Sequence, residues 1–163
     1  LIYFYSKMKN TILFAFSTAS SAATIPITLK TVEEELKVEK SVASFSVPLG
    51  ATINMDGTAI MQGVATIFIA NAYGINLEIS DFISVIMVAT LASIGTAGVP
   101  GVGLIMLAMV LNQVGLPSEG IALIIGIDRL LDMTRTAVNV TGDATISCVV
   151  ASSEKKIDYN YKE

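Results

Sequence analysis

Apolar runs and short polar stretches alternate along the chain, and few of the apolar runs are long enough to be whole membrane spans. An apolar start meets Lys7 and Lys9, and a second stretch from Thr11 enters the small-residue tip Ser17-Thr18-Ala19-Ser20-Ser21-Ala22-Ala23-Thr24-Ile25-Pro26. Neither arm of this tip approaches the ~20 residues a spanning helix needs. Two readings fit: a re-entrant hairpin that enters and leaves on one side, or one polar, kinked helix. Thr31 to Lys40 is polar throughout and reads as a solvated connector. Ser41 to Leu77 holds a single charge, Asp56, and is longer than one straight span requires. Pro48, Gly50, Asn54-Met55-Asp56-Gly57 and Gly63 interrupt it, which predicts a tilted helix broken at 54–57. Irregular backbone at that depth must be buried or line a cavity.

Beyond Glu78 and Asp81, Phe82–Ala92 and Val102–Asn112 are apolar arms of about half a span each. Between them Ser93-Ile94-Gly95-Thr96-Ala97-Gly98-Val99-Pro100-Gly101 predicts a second, clearer hairpin. Gly115 to Ser118 closes it, with Ser118 placed to cap a final helix that runs to about Ala151. The predicted fold is an all-α membrane protein with two re-entrant helical hairpins and two transmembrane helices. Its segments are 1–30 (hairpin), 31–40 (cytoplasmic connector), 41–77 (broken helix), 78–117 (hairpin), 118–152 (last helix) and 153–163 (cytoplasmic tail). Hairpin plus helix occurs twice, in opposite senses, and an inverted repeat of this kind points to a secondary transporter.

The last helix concentrates the charge. At about 100° per residue, Asp128, Asp132, Arg135, Asn139 and Asp143 share an arc of roughly 80°, flanked by Arg129 and Thr136. Ionisable groups inside a membrane are costly unless paired or hydrated, so this stripe reads as a substrate or ion pathway. Composition agrees: 53% of residues are hydrophobic and 15% charged, against about 25% charged in a soluble domain. A net charge of −4, widely scattered, gives no reason to expect nucleic acid, and the single Cys148 rules out a disulfide within the chain. The chain begins at Leu1 without a cleavable signal pattern and reads as a fragment of a longer polytopic protein. With both hairpins in place every lysine falls on one side, which the positive-inside rule makes cytoplasmic. A first hairpin that spanned fully would split the lysines between sides.

Two tips meeting at mid-depth present helix N-termini to an anionic group. Ser20, Ser21 and Gly98–Gly103 are small enough for a ligand to approach the backbone. Arg135 has the fork geometry for a carboxylate and Asp132 the charge for an ammonium, together an acidic amino acid; the bland alternative is a mutually neutralising i,i+3 pair. Asp56 and Asp143 stand next to Gly57 and Gly142 and suit a small monovalent cation, although Asp56 could simply cap the break.

These stretches resemble the glutamate/aspartate transporter family, the dicarboxylate/amino acid:cation symporters. The matching motifs are Ser20–Pro26, Asn54-Met55-Asp56-Gly57-Thr58, Ser93–Gly101 and Asp128–Asp143, across almost the whole chain. The resemblance implies the C-terminal transport core of a homotrimer in the plasma membrane, lacking six preceding helices, with a second hairpin that gates the outside and a core that moves as an elevator. It assigns the substrate to Ser21, Thr58, Val99, Gly103, Asp132, Arg135 and Asn139, and Ser20 and Thr136 beside them complete the candidate set. Sodium ions are implied at Gly50, Asn54, Asn139 and Asp143, at Thr52, Ser93, Ile94 and Thr96, and in part at Asn54 and Asp56, with no organic cofactor. Asp143 in place of Asn looks like sodium rather than proton coupling. Gln62 replaces a Glu tied to proton and potassium coupling, so neither ion is expected. Ala19 replaces an arginine found at the first tip of some members, a charge that Arg129 is placed to supply. The runner-up is a C4-dicarboxylate or other amino acid carrier of the same family. An ion channel has no use for an Arg135/Asp132 clamp, and an intramembrane aspartyl protease would need Asp56 and Asp143 in contact.

Overall fold

The computed structural model describes residues 1–158, and the last five residues of the expected tail, with Lys162, lie outside the described residues. Seven α-helices carry the described chain: α1 (Ile2–Thr18), α2 (Ser21–Lys30), α3 (Lys40–Ile53), α4 (Asp56–Ala72), α5 (Ile79–Ser93), α6 (Val102–Gln113) and α7 (Asp128–Ser153). A π turn, Thr31–Glu35, and a 3-10 turn, Ser118–Leu123, fill two of the connections. The β structure among the described residues is one isolated antiparallel bridge, Val38 to Ile157.

Each break has a local cause. α1 stops at Ala19, which adopts φ 52° and returns its N–H to the Ala15 carbonyl. Ser20 then caps α2. α3 and α4 are separated by Asn54 and Met55, and Asp56 opens α4 where the helix dipole favours an anion. Glu78 and Asp81 close a capping box at the start of α5. α6 begins after Gly101, at φ 85°.

Packing places the helices around a polar middle. One apolar cluster joins Met8 and Ala15 of α1, Val32, Leu36 and Val38 of the connector, Val42, Ala43 and Val47 of α3, and Val140, Ala144 and Ala151 of α7. Another joins Ala65, Ile69 and Ala70 of α4, Leu107 and Leu111 of α6, Leu116 and Ile124. Between them lie buried Ser20, Ser21, Thr58, Ser93, Thr96, Asp132, Arg135, Asn139 and Asp143, while Leu13, Phe45, Ile60, Val64, Ile86, Leu91 and Ile105 are exposed. A polar interior inside an apolar exterior suits apolar surroundings, not water. The lysine-bearing segments converge at one end, where Lys7 pairs with Glu35 and Lys156 with Glu39, and Glu39 N–H donates to the Lys156 carbonyl.

Among the described residues no helix is both long and apolar enough to cross a membrane. The interruption expected in 41–77 is present, as helices of 14 and 17 residues separated by Asn54 and Met55, and α7, at 26, carries the charged stripe. Two expectations change. The last helix starts at Asp128, not Ser118. Pro117 holds the N-cap place without a side-chain cap, and Gly120 lies so close to Ile69 and the Tyr73 ring that the segment wraps the end of α4 before the helix can begin. The connector 31–40 is not a free loop, because Thr31, Val32, Leu36 and Val38 are buried and Val38 is bridged to the tail.

Candidate functional site

Two loops meet over the polar stripe of α7. The Ser20 hydroxyl accepts the Ala23 N–H at 3.1 Å and donates to the Gly98 carbonyl at 2.8 Å. Ala22 N–H reaches the same carbonyl at 3.2 Å. A Cβ on Gly98 would stand 3.1 Å from Ala22 N and 3.2 Å from Ser21 Cβ, so glycine permits the approach. Gly95 N–H donates to the Thr52 carbonyl at 2.9 Å, tying the second loop to the end of α3.

Below the loops, Arg135 Nη2 donates to Asp132 Oδ1, and both side chains are almost fully buried. The other oxygen of Asp132 accepts the Gly101 N–H at 2.8 Å. Arg135 Nη1 has no hydrogen-bond partner among the described residues, and Gly103 lies directly against the guanidinium, where a Cβ would overlap it. Asn139 holds the helix break: its Oδ1 accepts the otherwise orphaned Gly57 N–H at 2.7 Å. Its Nδ2 donates to Thr58 Oγ1 at 3.3 Å and to the Met55 sulfur at 3.2 Å. Ser21, Thr58, Val99, Asp132, Arg135, Thr136 and Asn139 thus border one small cavity of about 10 Å³. That is room for roughly one water, so the loops are closed. Ser20 and Gly103 join this group through Gly98 and Arg135.

The candidate cation ligands form two further groups. Asn54 Nδ2 donates to Asp143 Oδ1 at 3.0 Å, and a Cβ on Gly50 would be 2.5 Å from that same oxygen. A Cβ on Gly142 would meet Asn54 Nδ2 at 2.8 Å and Asp56 Oδ2 at 3.1 Å, so Gly50, Asn54, Asp56 and Asp143 lie close around the break. Asp56 is exposed and also borders a groove with Tyr5, Phe16, Thr141 and Thr145. Thr52, Ser93, Ile94 and Thr96 are gathered by the Gly95–Thr52 bond; the Ile94 side chain is exposed, leaving its backbone as the available donor. No cluster of three or more His, Cys, Asp or Glu occurs among the described residues, so a cation here would draw on single carboxylates, Asp143 or Asp56, together with amide, hydroxyl and carbonyl oxygens. Arg129 Nη2 reaches the Ser17 carbonyl at 3.5 Å, at the first loop.

Three contacts lie outside what residue types alone single out: the Gly98 carbonyl, the Gly101 N–H and the Gly57 N–H. All are main-chain groups, and the only trace they leave in the sequence is the glycine that permits the approach.

Two opposed Ser/Gly loops, a broken helix and a buried Arg–Asp pair beside clustered hard oxygens make up the polar centre of a helical core whose exterior is apolar. Residues 1–153 match the sodium:dicarboxylate symporter family, and the chain belongs to it. That family consists of transporters, not enzymes. Excitatory amino acid transporter 3 of Mus musculus is 45% identical over 166 residues, covering 96% of this chain and 32% of that protein. An excitatory amino acid transporter of Caenorhabditis elegans is 47% identical over 154 residues, covering 88% and 31%. Excitatory amino acid transporter 2 of Homo sapiens is 46% identical over 154 residues, covering 88% and 27%. The chain thus spans about a third of the length of these curated relatives.

Proposed function

We propose that the protein carrying this segment is a secondary active transporter that moves acidic amino acids, glutamate or aspartate, by sodium-coupled symport. The observation that carries the reading is the buried Arg135–Asp132 pair at the meeting point of the two loops, with one guanidinium nitrogen unpartnered among the described residues. An incoming side-chain carboxylate takes the fork of Arg135, and the released Asp132 takes the α-ammonium. Ser20, Ser21, Thr58, Val99, Gly103, Thr136 and Asn139 shape the rest of the substrate site. Sodium, as co-transported cargo, is held at Gly50, Asn54, Asn139 and Asp143, at Thr52, Ser93, Ile94 and Thr96, and partly at Asp56. These are hard oxygen donors beside unwound backbone, which fits a small monovalent cation.

On this reading α1–α2 and α5–α6 are re-entrant hairpins of an inverted repeat, set in the lipid of the plasma membrane with the lysine-rich end cytoplasmic. The loop 94–101 opens to admit substrate by releasing the Gly101–Asp132, Gly95–Thr52 and Gly98–Ser20 contacts. The core then crosses the membrane as an elevator within a homotrimer. A C4-dicarboxylate substrate is the second reading, favoured by one fact: both Asp132 oxygens already have partners and do not await an ammonium.

The test is uptake of aspartate, glutamate and succinate by the full-length protein in liposomes, with and without a sodium gradient, beside Arg135→Ala. Sodium-dependent uptake of the amino acids that is lost in the variant is the expected result. Uptake driven by protons alone overturns the sodium assignment, and uptake of succinate alone moves the second reading to the front.

A further inference from the structure

α4 carries a polar feature that the ligand cavity does not use. Thr58, Gln62 and Thr66 follow at four-residue spacing, so they line one side of the helix, each at 1% exposure or less. Thr58 is accounted for by Asn139. Gln62 and Thr66 are not: neither carboxamide atom of Gln62 nor Oγ1 of Thr66 has a hydrogen-bond partner among the described residues. The contrast with other helical threonines is informative. Thr24, Thr28, Thr136 and Thr141 each donate to the carbonyl four residues back, whereas Thr66 makes no such bond.

The surroundings are apolar. Ala65 and Ile69, on the same side of α4, share a buried cluster with Leu107 and Leu111 of α6. Gln62 and Thr66 are therefore enclosed beside the seam between α4 and α6, whose head is Gly103 pressed against Arg135. A carboxamide brings two donors and an acceptor, and a hydroxyl brings one donor and two acceptor sites. Buried groups of this kind are nearly always hydrogen-bonded, and those without a protein partner hold ordered water.

We propose that Gln62 and Thr66 form a buried hydration site, in which ordered water bridges the carboxamide and the hydroxyl one turn apart beside the α4–α6 seam. This does not depend on what the ligand cavity binds. Its mechanical consequence is that α6 can shift against α4 without stranding a polar group, because a bridging water reorients with the movement.

The test is a structure of the full chain at a resolution that shows ordered water, with melting curves of Gln62→Met and Thr66→Val, both close to the native shape. Density within hydrogen-bonding reach of both side chains is expected. Each substitution then strands its partner's half of the bridge, and both variants melt below the parent. No density beside either side chain overturns the proposal. So do variants that melt above the parent, since a dry site gains stability by losing an unsatisfied group. If a variant fails to fold, the density in the parent decides alone.

Discussion

Gly103→Ala sets two magnitudes of opposite sign against each other. Replacing glycine with alanine inside an open helix stabilises by about 0.5–1 kcal/mol, because alanine has less conformational freedom to lose. At Gly103 the new Cβ would overlap the Arg135 guanidinium. The end of an arginine side chain is normally easy to displace, but this one is 6% exposed and paired with Asp132. Moving it breaks a buried ion pair, which costs about 3–5 kcal/mol when one charge is left without its partner. The net expectation is a destabilisation of about 2–4 kcal/mol, from the same two effects. A charge-assisted hydrogen bond contributes about 1.5–3 kcal/mol, so acidic-ligand affinity should fall roughly ten- to a hundredfold. The matched control is Gly63→Ala, also in a helix but with no heavy atom within 4 Å of the added Cβ, which should be neutral or slightly stabilising. Melting curves of the purified full-length protein and titration with aspartate read both quantities. If Gly103→Ala behaves like Gly63→Ala, the guanidinium does not lie against Gly103 and the described site geometry is wrong.

Gly50→Ala puts a methyl 2.5 Å from Asp143 Oδ1, so half-maximal uptake should require more sodium; an unchanged sodium curve would remove Gly50 and Asp143 from the ion site. Asp132→Asn keeps an acceptor for the Gly101 N–H but removes the charge that an ammonium needs, so competition assays should show amino acids losing ground to succinate; equal losses for both would refute the ammonium role. At the lysine-rich end, the Ser41 hydroxyl donates to Glu39 and, with Lys156 at 3.6 Å, holds its carboxyl below the ordinary 4.5. A depressed folded value means this contribution is present above the unfolded value and is lost as pH falls through the folded one, so the contact weakens only in acid. Ser41→Ala should bring the Glu39 titration, followed by NMR, back toward 4.5, and a titration that does not move would exclude the hydroxyl as the cause.

Much of the site could be read from residue order because its chemistry depends on side chains with fixed periodicity. Asp132, Arg135, Asn139 and Asp143 recur at helical spacing, which places them on one face of α7, and the apolar composition around them turns that face inward. The break at Asn54 and Met55 was legible because polar residues and glycine interrupt an apolar run. What escaped depends on who sits opposite. Ser118 looks like a helix cap, but Gly120 packing against Ile69 and Tyr73 delays α7 to Asp128. Lys37 and Lys155 adopt φ 59° and 56°, a conformation lysine gives no hint of, because the bridge of Val38 to Ile157 bends both strands of chain. Gln62 draws notice in the sequence only as a replacement for a family glutamate, and its full burial without a hydrogen-bond partner among the described residues emerges only from the fold.

Unmet hydrogen-bond and charge partners separate the two substrates left in contention. In the closed site Asp132 is satisfied by Arg135 and the Gly101 N–H, whereas Arg135 has one nitrogen unused among the described residues. A carboxylate that takes the whole fork replaces Asp132 there, so Arg135 exchanges one anion for another at little net cost. Asp132 is then a buried anion with only a main-chain N–H. An amino acid answers this with its own ammonium, and the number of ion pairs rises from one to two. A dicarboxylate has nothing to offer, and leaving a buried charge unpaired costs about 3–5 kcal/mol, or roughly two to four orders of magnitude in affinity. The fully partnered Asp132 of the empty site, which first favours a dicarboxylate, therefore argues the other way once the bound state is counted: the more completely Arg135 is engaged by substrate, the more strongly Asp132 selects for an ammonium group.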